Sequence, residues 1–360
     1  MAVTQLPRPP EVYKLPQYKY VDAVRWLPPI SALDRHAVLA LFDSDGGSST
    51  VEIHSLLNPN PDASSTAKSL TTLAAWTPPS RVSSLKTTNL GHRPFIAVST
   101  VDGSVHVLAA QNAHSLVEMG AAPRVHAGPV SCIDLVEGGA ECVSVGEDGR
   151  VNLVSLGDSG VSSFRFFDSN GLVSYSAARW ASPNEFATGG LGFGLQWWDR
   201  RKPGGPVSQF KCNWTQGRAS GIVHSIDIHP SRKHTCLAGG SSGTIFAWDL
   251  RWQQQPIILS GVVMGDGSKH SVSDSSEVWE VQYDRDVKSS NASNFSSSSR
   301  MLPVMMCSED GILAVVEEDE EPVELLAEPC AINSFDIDKQ NPSDVICSLE
   351  WESVAILTRP

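Results

Sequence analysis

The chain has 360 residues, enough for two average domains or one large all-β domain. It carries 27 Lys plus Arg against 40 Asp plus Glu, which gives a formal net charge of -13 at pH 7. This acidic balance argues against direct nucleic-acid binding, because such binding depends largely on neutralising phosphates with basic side chains. The basic cluster Arg200-Arg201-Lys202 lies in a Pro/Gly turn and is typical of a solvated surface.

Seven cysteines are scattered along the chain without a Cys-x-x-Cys pair. This odd number favours reduced thiols in the cytosol or nucleus over a disulfide framework or a zinc site. The first twenty residues contain four prolines and no apolar segment typical of a signal peptide. No stretch reaches the ~18 apolar residues of a membrane span. We therefore expect an intracellular protein with no membrane insertion and no cofactor.

The predicted elements begin with a flexible arm over residues 1–10 and a strand over residues 11–15. Seven copies of one unit follow, each with an apolar strand, a second strand, a turn and a third strand. The copies recur at intervals of about 45–60 residues. Their turns lie at Asp45-Gly46, Asp102-Gly103, Asp148-Gly149, around Gly192, Ser242-Gly243, Asp310-Gly311 and Glu350-Trp351.

Two of the copies end on Trp-Asp, at Trp198-Asp199 and Trp248-Asp249. The period and this ending resemble the WD-repeat β-propeller, in which each repeat forms a four-stranded blade. The resemblance implies an all-β fold, a single seven-bladed WD-repeat β-propeller over residues 11–360. Inner strands that are small or apolar throughout, such as residues 235–240, agree with blades covered on both faces.

The last copy stops after its third strand, which would leave the edge of its sheet open. We expect the strand at residues 11–15 to supply the missing outer strand and so to close the ring. A serine-rich insertion at residues 288–300 interrupts blade six.

Ser241 lies in a Gly-x-Ser-x-Gly motif, which in α/β-hydrolases presents a nucleophilic serine. That motif needs a helix after the serine, whereas the strand-like sequence TIFAWDLR follows here. We therefore interpret Ser241 as a turn residue.

His224, His229 and His234 are five residues apart, a spacing that places their rings on different faces and does not favour a metal site. The sequence contains no catalytic set that stands out from the repeat, so we expect no enzyme.

In the WD-repeat family a His, a Ser or Thr, the turn Asp and the terminal Trp share a buried hydrogen-bond network. The resemblance implies such a network for His126, Ser144 and Asp148 in blade three, with Ser155 where the Trp would stand. Blade five keeps Trp248 and lacks the turn Asp. The corresponding turn residues of blades two and six are Asp102 and Asp310.

Several stretches resemble WD-repeat nucleoporins of the Y-shaped outer-ring complex of the nuclear pore. They are residues 143–156, 237–251, 275–284, 306–318 and 332–357. The resemblance implies a scaffold subunit in the nucleus, at the nuclear pore complex of the nuclear envelope. Its partners would be other outer-ring Y-complex nucleoporins, including an α-solenoid nucleoporin of the short arm, with one copy per complex. It would support nucleocytoplasmic transport, protein import and mRNA export.

A second interpretation stays open. Two blades end in Trp-Asp-x-Arg, at Trp198 to Arg201 and at Trp248 to Arg251. This box is associated with substrate receptors of cullin-RING ubiquitin ligases, where it docks on the adaptor of the ligase. The same Asp and Arg can also stabilise the turn after the Trp.

The loops divide between two faces of the predicted propeller. Loops that join first to second and third to fourth strands share the bottom face, and they are long, polar and acidic. Loops of the top face carry residues that protein interfaces favour, namely Trp214 and Arg218 in 212–221 and Arg124 in 121–129. We expect the partner to dock on the top face or a blade edge, although Trp214 could instead fill a seam between blades. The bottom loops are 58–68, 202–206, 288–300 and 317–321.

Overall fold

The computed structural model describes residues 9–31, 35–57, 69–157, 160–192, 194–211, 221–241, 243–250, 257–260, 276–284, 302–318 and 320–360. In these ranges the regular elements are 28 β-strands, arranged in seven four-stranded antiparallel sheets. No helix that could cross a membrane occurs in this part of the chain. The predicted all-β, seven-bladed WD-repeat propeller is confirmed.

The strands follow the chain in order, and each blade uses four of them. They are β1 (Glu11–Pro16), β2 (Tyr20–Trp26), β3 (His36–Asp43), β4 (Ser48–Leu57), β5 (Ser69–Trp76), β6 (Val82–Leu90), β7 (Arg93–Thr100), β8 (Val105–Asn112), β9 (Ser115–Ala122), β10 (Val130–Leu135), β11 (Glu141–Gly146), β12 (Arg150–Gly157), β13 (Gly160–Asp168), β14 (Tyr175–Ser182), β15 (Glu185–Gly190), β16 (Gly194–Asp199), β17 (Ser208–Lys211), β18 (Val223–Ile228), β19 (Thr235–Gly240), β20 (Ile245–Asp249), β21 (Ile257–Ser260), β22 (Val278–Tyr283), β23 (Val304–Ser308), β24 (Ile312–Val316), β25 (Val323–Ala327), β26 (Ile332–Ile337), β27 (Asp344–Leu349) and β28 (Ser353–Thr358). Blades one to six use β2–β5, β6–β9, β10–β13, β14–β17, β18–β21 and β22–β25, and blade seven combines β26–β28 with β1.

Burial is greatest in the second strands of the blades and lowest in the outer, fourth strands. Every residue of the second strands β19 and β27 is buried, whereas the fourth strand β13 contains no buried residue. Gly239 shows how tightly neighbouring blades pack, because a Cβ at this position would lie 2.5 Å from Val281 and 2.9 Å from Val278 of blade six. Small residues in these strands therefore permit close contact between blades.

The ring closes through strand β1. It pairs antiparallel with β28, from Glu11 opposite Thr358 to Pro16 opposite Ser353. Val12 of β1 packs against the apolar cluster between blades six and seven. Lys14 Nζ lies 2.7 Å from a carboxylate oxygen of Glu328. The first strand of the chain thus forms the outer edge of the last blade. The arm boundary at residue 10 stays a prediction, since residues 1–8 lie outside the described ranges.

Aromatic side chains fill the seams between blades. Trp198 is fully buried, stacks on Phe186 with ring centroids 5.8 Å apart, and donates from Nε1 to Thr188 Oγ1 at 2.9 Å. Trp248 is buried in the cluster that joins blades four and five, together with Trp197. The two Trp-Asp positions therefore serve the packing of the ring.

A ring of polar side chains, one from each inner strand, surrounds the central channel. The Asp residues of this ring hold the neighbouring blade, because their carboxylates accept backbone N–H groups at 2.8 Å. Asp134 accepts from Trp180, Asp227 from Tyr283, and Asp336 from Trp26. The seven members are Arg25, Lys86, Asp134, Arg179, Asp227, Gln282 and Asp336.

Ion pairs connect this ring around the channel. Arg179 lies 3.1 Å from Asp134 and 3.0 Å from Asp227, so it joins blades three, four and five. Arg25 forms a buried pair with Glu280 at 2.7 Å, and Lys86 approaches the same carboxylate at 3.8 Å. Burial raises the pKa of Glu280, but Arg25, Lys86 and hydrogen bonds from Phe335 N and Ser334 Oγ together outweigh burial, and the net pKa lies below the ordinary value. Among the seven, Asp336 accepts hydrogen bonds from Trp26 N and Gln282 Nε2, and the other charged members form ion pairs. Buried charges require such partners.

Candidate partner-binding surface

Blade three contains a hydrogen-bond network with the order Ser, His, Asp. His126 Nδ1 lies 2.9 Å from Asp148 Oδ1, and its Nε2 lies 3.1 Å from Ser144 Oγ. The arrangement resembles that of a serine hydrolase, in which the serine must meet its substrate. Ser144 is 0% exposed, so its hydroxyl is closed to any substrate in this conformation. The network instead ties the top turn of blade three to the loop that precedes it.

The hydrogen bonds fix the protonation state of His126. The Asn152 amide donates to Val125 O at 3.2 Å and lies 3.0 Å from His126 Nε2, so Nε2 must accept and the ring proton sits on Nδ1. In agreement, burial lowers the pKa of His126 despite the opposing effect of Asp148. Burial raises the pKa of Asp148, but hydrogen bonds from His126 and Ala127 N reverse this and lower it.

His126→Gln is expected to destabilise the protein by roughly 1–3 kcal/mol at pH 7.5, because Asp148 and Ser144 lose a buried partner. Because the pKa of His126 is lower in the folded state, the unfolded chain binds a proton on this imidazole at a higher pH than the folded protein does. The free energy of unfolding of the wild type should therefore decrease as the pH falls below about 6.5. The variant has no imidazole at this position and should not show this contribution to the decrease. Urea unfolding at pH 7.5 and 5.5 measures both effects. Equal pH dependence in the two proteins would contradict the assignment.

The structure corrects one position of the implied network. Ser155 pairs with Glu141 in blade three, just as Asp199 pairs with Glu185 in blade four. Ser155 therefore matches the Asp of the Trp-Asp ending. The residue at the position of Trp198 is Val154, which is buried. The predicted position of the Trp is wrong by one residue, because apolar side chains at Leu153 and Val154 make the strand pattern nearly the same in either register.

The other turn residues form local hydrogen bonds. Asp102 accepts from Thr100 Oγ1 at 2.6 Å and from Ser104 N at 3.2 Å, and Asp310 accepts from the Ser308 hydroxyl. Ser241 Oγ accepts from Ile222 N at 3.0 Å.

Strand β20 follows the turn that contains Ser241, so no helix presents this serine as a nucleophile elbow would. Nearby, His224 contacts the carboxylate of Glu277 at 2.6 Å. Among the described residues, no group of three or more His, Cys, Asp or Glu could hold a metal ion.

The first Trp-Asp-x-Arg box is engaged within the chain. Arg201 donates to Asp199 at 2.8 and 2.9 Å, a bidentate pair. This hydrogen bonding lowers the pKa of Asp199 to about 2. Arg251 of the second box lies outside the described residues. In the first box, the Asp and Arg stabilise their own turn.

Of the three predicted partner residues, the structure describes one. Arg124 is exposed on the top face and has a positive φ of 50°, and its backbone N–H donates to Ser104 Oγ at 3.3 Å. Trp214 and Arg218 lie outside the described residues, as do the insertions 58–68 and 288–300 of the bottom face. The three predicted residues therefore stay a prediction.

Exposed apolar side chains concentrate on the top face. Of the large exposed ones in the described ranges, six lie in top turns or at the top end of an inner strand. Tyr18 is 85% exposed and Trp351 is 64% exposed. The six are Tyr18, Tyr20, Val101, Leu172, Leu191 and Trp351, whereas Val117, Met119, Phe164 and Ile257 lie on outer strands and Val207 lies in a bottom loop.

A pocket of about 270 Å³ opens on the same face, at the mouth of the channel. Arg81 donates to Asp22 through two nitrogens, at 3.1 and 2.6 Å, and stacks on Phe42 at 4.3 Å. Burial raises the pKa of Asp22, and Arg81 offsets part of that rise. The pocket is lined by Tyr20, Val21, Asp22, Arg81, Trp279, Asn333 and Glu350.

Neither the pocket nor the exposed aromatic side chains beside it were predicted from the sequence. They belong to segments far apart in the chain, which only the closed ring brings together. One signal was present: Trp351 occupies a turn position where other copies carry Gly.

Comparison with known proteins adds relatives that match along the chain. No protein-family model matches it. The chain is 57% identical over 361 residues to the Arabidopsis thaliana nuclear pore complex protein NUP43. The alignment covers 97% of this chain and 98% of that protein. It is 29% identical over 196 residues to the human nucleoporin Nup43, covering 52% of this chain and 44% of the human protein. The mouse nucleoporin Nup43 is 28% identical over 199 residues.

Proposed function

The chain belongs to the Nup43 family of nuclear pore proteins, and we propose that it is a non-catalytic scaffold subunit of the outer-ring Y complex. As a member of this family it resides at the nuclear pore complex of the nuclear envelope. In the proposed role it binds other outer-ring nucleoporins, including an α-solenoid nucleoporin of the short arm, with one copy per complex. Through them it supports nucleocytoplasmic transport and mRNA export.

The observation that carries this proposal is that most of the exposed large apolar side chains in the described ranges lie on one face of the ring. Exposed apolar patches on soluble domains mark protein–protein contacts. The top face has such side chains in the turns of blades two, four and seven, at Val101, Leu191 and Trp351. On the bottom face, the acidic loop at 317–321 is typical of solvated surface. We therefore propose that the partner docks on the top face and that the bottom loops stay free of it.

Co-purification tests the scaffold role. A tagged full-length chain expressed in cells is expected to recover outer-ring nucleoporins in near-equal amounts. Recovery of a cullin adaptor in their place would overturn the proposal in favour of the ubiquitin-ligase receptor. The variant Arg201→Ala with Arg251→Ala is the matched control, because it should leave the pore proteins bound and would release only the ligase adaptor.

The same assay tests which face docks. Deletion of residues 288–300 is expected to leave the pore proteins bound, whereas Trp214→Ala with Arg218→Ala should weaken their recovery. The opposite pattern would place the docking surface on the bottom face.

A further inference from the structure

Two segments from opposite ends of the sequence meet on the top face, where the ring closes. Gln17 N donates to Glu352 O at 2.8 Å, so the connection between β1 and β2 lies against the turn between β27 and β28. Tyr20 and Glu350, from the same two segments, line the pocket at the channel mouth. We call this surface the closure patch and define it by Tyr18, Tyr20, Glu350, Trp351 and Glu352.

The backbone of the closure patch is held in an uncommon conformation. Tyr18 has a φ of 57° and Glu352 a φ of 55°, in the left-handed region that favours glycine. Two of the four such non-glycine residues in the described chain therefore lie in this one patch. Strained residues of this kind concentrate at binding and switch regions. Tyr18, which is 85% exposed, is itself one of these residues, and Trp351, which is 64% exposed, directly precedes the other.

The aromatic side chains of the patch are those that dominate protein interfaces. Tyr and Trp are enriched among residues whose truncation costs most of the binding energy. Tyr18 and Trp351 are both largely exposed, and Tyr20 is exposed at the rim of the pocket. A partner that covers them would remove a large apolar area from water.

The charge around the patch identifies what kind of partner fits. Its cations are already paired: Arg81 with Asp22 at 2.6 Å and Lys19 with Glu52 at 3.9 Å. Glu350 and Glu352 form no ion pair with any other residue that the structure describes. The patch therefore has surplus negative charge next to exposed aromatic rings. Both features attract Lys and Arg, the first by charge and the second through cation–π contact.

The pocket adds an aromatic contact surface. Trp279 lines it together with Tyr20. The pocket volume of about 270 Å³ leaves room for a bound side chain and its backbone.

We propose that the closure patch binds a basic segment of a partner protein in the pore scaffold. In this complex, Tyr18 and Trp351 cover apolar and cationic side chains, and Glu350 and Glu352 pair with Lys or Arg. The inference rests on the proposed scaffold role and adds to it the surface and the chemistry of the contact. Nucleic acid is a poor occupant, since its phosphates would meet the same carboxylates.

The experiment uses the full-length chain purified with its outer-ring partners. A carbodiimide reagent, which joins carboxylates to amines in direct contact, is expected to cross-link Glu350 or Glu352 to a partner lysine. Tyr18→Asn with Trp351→Ser should lower the affinity for that partner at least about tenfold, as expected for two central aromatic contacts. Asn is chosen at position 18 because it tolerates a positive φ. Both exchanged side chains are exposed, so the melting temperature should stay that of the wild type.

A matched control and a charge variant sharpen the test. Val117→Ser with Phe164→Ser removes two exposed apolar side chains from outer strands and should change the affinity by less than about twofold. Glu350→Gln with Glu352→Asn should weaken binding more at low salt than at high salt.

The outcomes separate the two proposals. A wild-type chain that recovers no pore protein overturns the scaffold role, and the patch proposal falls with it. If the wild-type chain recovers the pore proteins and the Tyr18 and Trp351 variant binds them equally well, the patch proposal alone is overturned.

Discussion

Deletion of residues 1–16 is expected to lower the melting temperature by roughly 5–10 °C. Strand β1 contributes six residues of antiparallel ladder to blade seven and packs Val12 and Leu15 against its neighbours. Ladder hydrogen bonds of about 1 kcal/mol each and two part-buried apolar side chains amount to about 5 kcal/mol. Without β1, the third strand β28 also becomes an exposed edge.

Thermal unfolding followed by circular dichroism measures this effect. Deletion of residues 1–8 is the matched control, because it removes the segment before β1 and leaves the strand intact. A melting temperature that is the same for both deletions would contradict ring closure by β1.

Trp248→Ala is expected to destabilise the protein by about 3–5 kcal/mol, the usual cost of removing a buried Trp or Phe side chain. The indole is buried between blades four and five, with the Phe246 ring centroid 4.4 Å away and that of Phe210 5.9 Å away. Truncation leaves a cavity at a seam that two blades share. Urea unfolding measures the loss, which is a large part of the ~5–15 kcal/mol that stabilises a typical domain.

Ser241→Ala in the same blade is the control for this experiment. It removes the hydrogen bond that Ser241 Oγ accepts from Ile222 N, and should cost under about 1 kcal/mol. The turn interpretation also predicts that a serine-reactive probe leaves Ser241 unlabelled. A labelled Ser241, or a Trp248 variant as stable as the wild type, would contradict these assignments.

The seven-bladed architecture could be predicted from the sequence because each blade is formed mainly by strands that are consecutive in the chain. Each turn, such as Asp148-Gly149, lies between strands that are neighbours in the chain, so a period along the sequence translates directly into blades. The pairing of β1 with β28 could be predicted for a different reason. The last repeat lacks a strand, and an unpaired segment with strand character precedes the first repeat.

The channel and the closure patch could not be predicted in the same way. Arg25 and Glu280 are 255 positions apart, and their pairing depends on how far each blade rotates around the ring. The segments that carry Tyr18 and Trp351 come together only because β1 pairs with β28. The sequence predicts interface residues only in long top loops, such as the one with Trp214. A surface assembled from two short turns leaves no local pattern in the sequence.

The pairing of β1 with β28 also sets an order of events during synthesis. Pro16 lies opposite Ser353, so β1 leaves the ribosome long before its partner strand exists. At ~5–20 residues per second the delay is on the order of 20–70 s. During this time the nascent chain can form blades one to six, but blade seven stays incomplete. The sequence of β1 protects the strand while it is unpaired, because Lys14 and Pro16 are residues that disfavour edge-to-edge pairing with strands of other chains.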